Sequence, residues 1–177
     1  MNQLESIFIK FGFTESEAIE ISKSFVLKHY KSGSFFLQDG LIGDCLGFVE
    51  NGIFQYYYNN DSDKLTTYIA FKGDFILSIQ SFFAGKPSKE NIKALIDSDV
   101  WVIKKSDLEK VNNSIIGFKD FYISVLEQIM VCLDESRFNY ITLKPEERYV
   151  KLIKEEPELI QQIPLKYLST LIGVTPR

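Results

Sequence analysis

Few residues in this chain could do covalent or metal chemistry, and their spacing excludes most of it. There is one histidine, His29, and there are two cysteines, Cys45 and Cys132. Structural metals and iron–sulfur clusters need three or four thiolate or imidazole ligands close together, and this set cannot supply them. It cannot build a disulfide framework either. A lone His29 is a poor basis for haem, and at a helix–strand junction it reads as structural or exposed. A metalloenzyme on a β-barrel would need several histidines and a carboxylate. The chain has no Ser/His/Asp set, no phosphate-cradling glycine loop and no HExxH motif. We therefore expect no catalysis, no metal, no iron–sulfur cluster and no haem.

The C-terminal stretch carries another kind of chemistry. Lys144-Pro145-Glu146-Glu147 reads as a helix start, with Pro at the first position and acids facing the positive end of the dipole. Tyr149, Val150, Leu152 and Ile153 give that helix an apolar side, and Pro157 limits it. Ile163-Pro164 opens another short helix with Leu165, Leu168 and Ile172 inward. Gly173 ends it, and Thr175-Pro176 looks like the cap and first residue of a third helix. Helix, tight glycine turn and new helix is the layout of a helix-turn-helix. Lys166, Thr175 and Arg177 are the candidate DNA contacts, the last two at a helix N-terminus suited to phosphate. The sequence stops at Arg177, where the helix that reads bases would begin. From this stretch alone we expect little sequence-specific binding.

Such a unit needs elements that position it. Between 111 and 139, Ile115, Phe118, Tyr122, Val125, Ile129 and Cys132 follow spacings of three and four, a seam of the coiled-coil type. We read these six as a dimer interface, with Cys132 as a small core residue of the seam. A second stripe, Leu126 and Leu133, lies beside it, so one stripe can face the rest of the chain while the other meets a partner. Upstream, residues 26–105 hold many short apolar or alternating runs cut by glycines and polar turns. Ile53 to Tyr58 and Leu65 to Phe71 read as a hairpin, and Asn51-Gly52 as a tight turn. The pattern suggests a β-sandwich or roll. Helices are expected near 2–10 and 15–22, the second opened by a Thr14/Glu17 capping box.

Apolar residues make up 45% of the chain, enough for a real core. The net charge is −4, which does not advertise nucleic-acid binding, but residues 141–177 carry +1 and the remainder −5. No apolar run approaches the ~20 residues of a membrane span, and no signal-peptide pattern opens the chain. A cytoplasmic protein without a membrane partner is expected.

Taken together, the chain resembles the Crp/Fnr (catabolite activator-like) regulators. The resemblance is carried by residues 30–40, by Phe48-Val49-Glu50-Asn51-Gly52, by Gly73-Asp74-Phe75-Ile76, and by residues 163–176. It implies an α+β fold. A jelly-roll (double-stranded β-helix) sensor domain of the cyclic-nucleotide-binding type fills 1–110, a dimerisation helix 111–139, and a partial winged helix-turn-helix domain 140–177. It further implies a homodimer on double-stranded DNA, contact with RNA polymerase, and a small-molecule effector.

The departures concern that effector. Family members that bind cyclic nucleotides carry Gly-Glu for the ribose and Arg-Ser for the cyclic phosphate. Here the first pair falls at Leu77-Ser78 and the second near Ser88-Lys89, and the loop from Ala84 to Asn91 has no arginine. The two-pronged guanidinium grip on phosphate is missing; Lys86 and Lys89 read as solvated charge. Cyclic AMP is therefore not expected to bind in the usual way. A pocket between roll and helix would be walled by Leu77, Ser78, Ser81, Phe82, Ser88, Lys89, Tyr122 and Leu126. The competing reading is a ligand- or protein-binding roll that does not touch DNA.

Overall fold

The computed structural model of the chain describes residues 1–60, 63–155, 157 and 163–174. Two helices, α1 (Gln3–Phe11) and α2 (Glu15–Ser22), precede strands β1 (Val26–Tyr30), β2 (Phe35–Leu37), β3 (Cys45–Asn51), β4 (Ile53–Asn60), β5 (Asp63–Phe71) and β6 (Phe75–Ile76). Helix α3 (Ile79–Ala84), β7 (Asn91–Ala94) and β8 (Ser98–Lys104) complete the roll. There follow α4 (Lys105–Ser114), α5 (Phe118–Thr142), α6 (Pro145–Glu155) and α7 (Leu165–Leu171). The strands make two antiparallel four-stranded sheets, ordered β1-β8-β3-β6 and β2-β7-β4-β5.

Alternation along the strands fills the space between the sheets. Val49, Ile76, Val100 and Val102 from one sheet meet Leu37, Phe54, Tyr56, Ala70, Ile92 and Ala94 from the other. The β4–β5 hairpin forms as the sequence suggests, pairing Ile53 with Phe71 through Asn59 with Lys64. Strand β4 is buried on both faces: Phe54 and Tyr56 point into the roll, while Ile53 joins a separate cluster with Ile69, Ile163 and Leu168 beneath α7.

The Asn51-Gly52 pair turns the chain tightly at a positive φ, as its sequence suggests, and the turn joins two sheets. The strands on either side belong to opposite sheets, so Gly52 is a corner where the chain changes sheet. Its φ is +125°, and a Cβ there would stand 2.8 Å from the Cα of Ser98. Only glycine passes that close with that backbone.

Both N-terminal helices are fixed by capping boxes. Thr14 and Glu17 satisfy each other's backbone amides, as expected, and Asn2 with Glu5 does the same for α1. These helices close a second core on the outside of the roll. Phe8 lies at its centre, with ring centroids 5.0 Å from Phe121 and 6.1 Å from both Phe25 and Phe118.

The long helix differs from its expected bounds. A break at 115–117, with Gly117 at φ +82°, separates α4 from α5, and α5 runs from Phe118 to Thr142. At 25 residues it is roughly 38 Å long.

Candidate functional site

The residues expected to face a cyclic nucleotide lie between β6 and α3 (Leu77, Ser78) and in the loop after α3 (Ser88, Lys89), and the two serines are closed on one another. Ser78 and Ser88 are each 2% exposed. Their hydroxyl oxygens are 3.2 Å apart, and Ser78 donates to Glu90 Oε1 at 2.8 Å. Ser88 in turn donates to the Glu90 carbonyl and accepts from the Glu90 amide. Ser78 and Ser88, at the expected ribose and phosphate positions, are thus hydrogen-bonded together, with a carboxylate beside them. Burial raises the pKa of Glu90, opposed by the Ser78 hydrogen bond.

Tyr56 seals the same region from inside the roll. Its phenol accepts from the Leu77 amide at 3.1 Å and donates to the Leu77 carbonyl at 3.4 Å. Burial raises its pKa far above the ordinary phenol value, so it stays a neutral donor. Ser81 accepts from the Gly43 amide at 2.7 Å and donates to the Lys86 carbonyl at 2.6 Å. Lys105 donates to the Phe82 carbonyl and lies over the Phe82 ring. Leu77, Ser78, Ser81, Phe82 and Ser88 therefore come together as packed interior, and Lys89 is exposed.

A cleft does lie between the roll and the long helix, but none of the eight residues expected to wall it does so. It has a volume of about 470 Å³ and opens between α1, the β5–β6 turn and α5. Phe11, Phe75, Phe121, Val125 and Ile129 form its apolar wall; Lys10, Tyr68, Asp74, Ser124, Gln128 and Cys132 supply polar atoms. The Asp74 carboxylate accepts from the Phe71 amide at 3.0 Å and the Tyr68 hydroxyl at 3.4 Å, and Cys132 Sγ is 4.0 Å from that hydroxyl. Tyr122 and Leu126 lie elsewhere on α5. The expected wall followed family alignment into the roll, whereas α1 sets this cleft, and nothing in its sequence marks it as a wall.

The dimer seam is likewise reassigned. Phe118 and Val125 are buried in the chain's own outer core, with Ile115, Tyr122 and Ile129 packed against it. Cys132 is exposed beside the cleft rather than buried in a seam. The reason is that α1 and α2 cover this face, and a three-four repeat marks a buried face without saying what buries it. Of the second stripe Leu133 is exposed and Leu126 partly covered, and Ile123 and Met130, which the sequence reading left out, are exposed beside them, Met130 at 69%.

The C-terminal unit has the expected order of helices as far as it is described, but of the residues expected inward Leu168 is buried whereas Leu165 is 72% exposed. Helix α7 ends at Leu171 with Ile172 as its cap, and Gly173 takes φ +82°. A side chain at Gly173 would also stand 3.0 Å from the Arg148 guanidinium. Arg148 donates to the carbonyls of Ile172 (2.9 Å), Tyr140 (2.7 Å) and Leu143 (3.1 Å). It thereby satisfies end carbonyls of both α5 and α7. Lys166 is exposed, its Nζ over the Tyr167 ring; Thr175 and Arg177 fall outside the described residues. His29 is exposed and pairs with Asp99 at 3.0 Å. Among the described residues no group of three or more His, Cys, Asp or Glu could hold a metal, and no helix is long and apolar enough to cross a membrane.

Comparison with known proteins agrees with this architecture. Residues 27–114 match the family model described as the cyclic nucleotide-binding domain. No curated protein sequence matches the chain. Among solved structures, the c-di-GMP responsive global regulator CLP of Xanthomonas campestris superposes with a TM-score of 0.72 at 14% identity, over 90% of this chain and 86% of that one. The catabolite activator protein of Thermus thermophilus gives 0.60 at 15% identity, over 93% and 79%. A CooA variant from Carboxydothermus hydrogenoformans gives 0.68 at 12% identity, over 88% and 73%. Residues 27–114 thus match a model of the cyclic nucleotide-binding domain, and the chain shares the fold of these solved structures.

Proposed function

We propose that the protein is a dimeric, DNA-binding transcription regulator of the Crp/Fnr type whose roll does not take cyclic AMP in the usual way. The observation that carries this reading is the outward stripe of α5. Ile123, Met130 and Leu133 are exposed on a helix that joins the roll to the helix–glycine-turn unit. Pairing that stripe with a second copy buries it and holds two C-terminal units at a fixed separation, as a two-fold DNA site requires. The closed Ser78–Ser88–Glu90 cluster supports the second half of the reading.

Selection from a random duplex library by the complete protein tests it. The enriched sequences are expected to contain two-fold related half-sites, and Met130→Glu is expected to abolish both enrichment and the dimer seen by sedimentation. No enrichment at low salt, where phosphate contacts are strongest, overturns the DNA reading. If the dimer persists in that case, the chain is a sensor module that works through a ligand or a protein.

A further inference from the structure

We infer that the cleft beneath α5 is a binding site for a small zwitterion with an apolar side chain, of the α-amino-acid class. This rests on the reading that the roll interior is closed to nucleotides, and it places the effector outside the roll. Three features of the cleft carry it.

The first is size and wall. About 470 Å³ falls in the range of small-molecule sites. Phe11 is 43% exposed at its edge, its ring 5.2 Å from Phe121 in an edge-on arrangement. An aromatic ring left half in water beside a recess is a surface that an apolar guest would cover.

The second feature is charge. Among the described residues the cleft lining holds one cation, the exposed Lys10, and one acid, Asp74, half-buried against the Tyr68 hydroxyl. A guest carrying only a carboxylate would face Asp74 across a partly dry recess, and one carrying only an ammonium would leave Lys10 unmatched. A zwitterion matches both, its ammonium toward Asp74 and its carboxylate toward Lys10. The Ser124 and Gln128 side chains add neutral polar atoms to the same lining.

The third feature is position. The wall is shared by α1, the β5–β6 turn and α5, so a guest touches the roll and the long helix together. The outward stripe at Ile123, Met130 and Leu133 lies on another face of α5, so pairing through that stripe leaves the cleft open.

Calorimetric titration with three probes of one shape tests the assignment: L-phenylalanine, phenethylamine, which lacks the carboxylate, and 3-phenylpropanoate, which lacks the ammonium. L-Phenylalanine is expected to bind, and each half-probe about tenfold or more weaker. In Lys10→Met, an exposed position whose change spares the core, L-phenylalanine is expected to fall to the level of phenethylamine. Gln128→Trp, also exposed, is expected to fill the mouth and remove binding. If all three probes fail to bind, if a half-probe binds as well as L-phenylalanine, or if both variants bind like the parent, the assignment is overturned. A cyclic AMP titration run alongside separates the two levels. Tight cyclic AMP binding overturns the closed-roll reading, whereas silence from all four compounds overturns the amino-acid site alone.

Discussion

Glu90 is the residue on which the roll's chemistry turns. It is a half-buried acid that Ser78 holds at 2.8 Å, and burial raises its pKa above the ordinary 4.5. A raised acid stabilises the fold in its protonated form, so its contribution is complete below about pH 4.5 and is lost as the pH rises through the folded-state value. Glu90→Gln keeps an acceptor for Ser78 and removes the desolvated charge. Its thermal midpoint is therefore expected to exceed that of the parent at pH 7.5, with the gap closing near pH 4. A parent that stays the less stable of the two at pH 4 would show that charge is not the cause. Part of this site was legible in the sequence. The loss of arginine and the positions Ser78 and Ser88 follow from alignment to Gly73-Asp74-Phe75-Ile76. That Glu90 folds back onto both serines depends on the path of the loop, which spacing does not record.

At the level of elements, periodicity located the helices well and their partners badly. The Thr14/Glu17 box, the β4–β5 hairpin and the Gly173 turn all read directly, because each is a local rule between neighbours in sequence. The stripe from Ile115 to Cys132 reads as a buried face, yet Phe8, Phe13 and Phe25 cover its residues up to Ile129 from within the same chain, and Cys132 stays exposed. No local rule could say so, since the covering residues lie some hundred positions away. Arg148 was equally silent: a charged residue on an amphipathic helix gives no sign that it will bond three carbonyls from two other segments. Hydrogen bonds from a charged donor are worth about 1.5–3 kcal/mol each at most, and less where exposed. Arg148→Met is expected to lower stability by about 2 kcal/mol in denaturant titration. Arg148→Lys should recover less than half, because one ammonium cannot span a fork of acceptors. An Arg148→Met variant as stable as the parent would sink this account.

At the scale of the molecule, the feature that matters is the joint between roll and C-terminal unit. Ile53 and Ile69 of the second sheet pack against Ile163 and Leu168. Beside them Gln55 donates to Thr66 Oγ1 at 2.7 Å, and Thr66 and Thr170 share a hydrogen bond of 2.6 Å. Composition announced a core but not this seam, and Gln55 in the middle of a strand gave no hint that it would be buried. Thr170→Val removes the hydroxyl while keeping the volume, at a cost of about 1 kcal/mol. Amide exchange across 163–174 is expected to quicken while that of β3 and β8 stays unchanged. Unaltered exchange in 163–174 would mean that the hydroxyl pair contributes nothing.

The glycine corner at Gly173 is thus gripped from two directions, by Arg148 reaching from α6 and by the Thr66–Thr170 bond from the sheet. A hinge clamped on both sides does not drift. Detaching α7 from the sheet therefore means undoing the Thr66–Thr170 bond and the Arg148–Ile172 bond together, so this corner should come loose in one step rather than by gradual slippage.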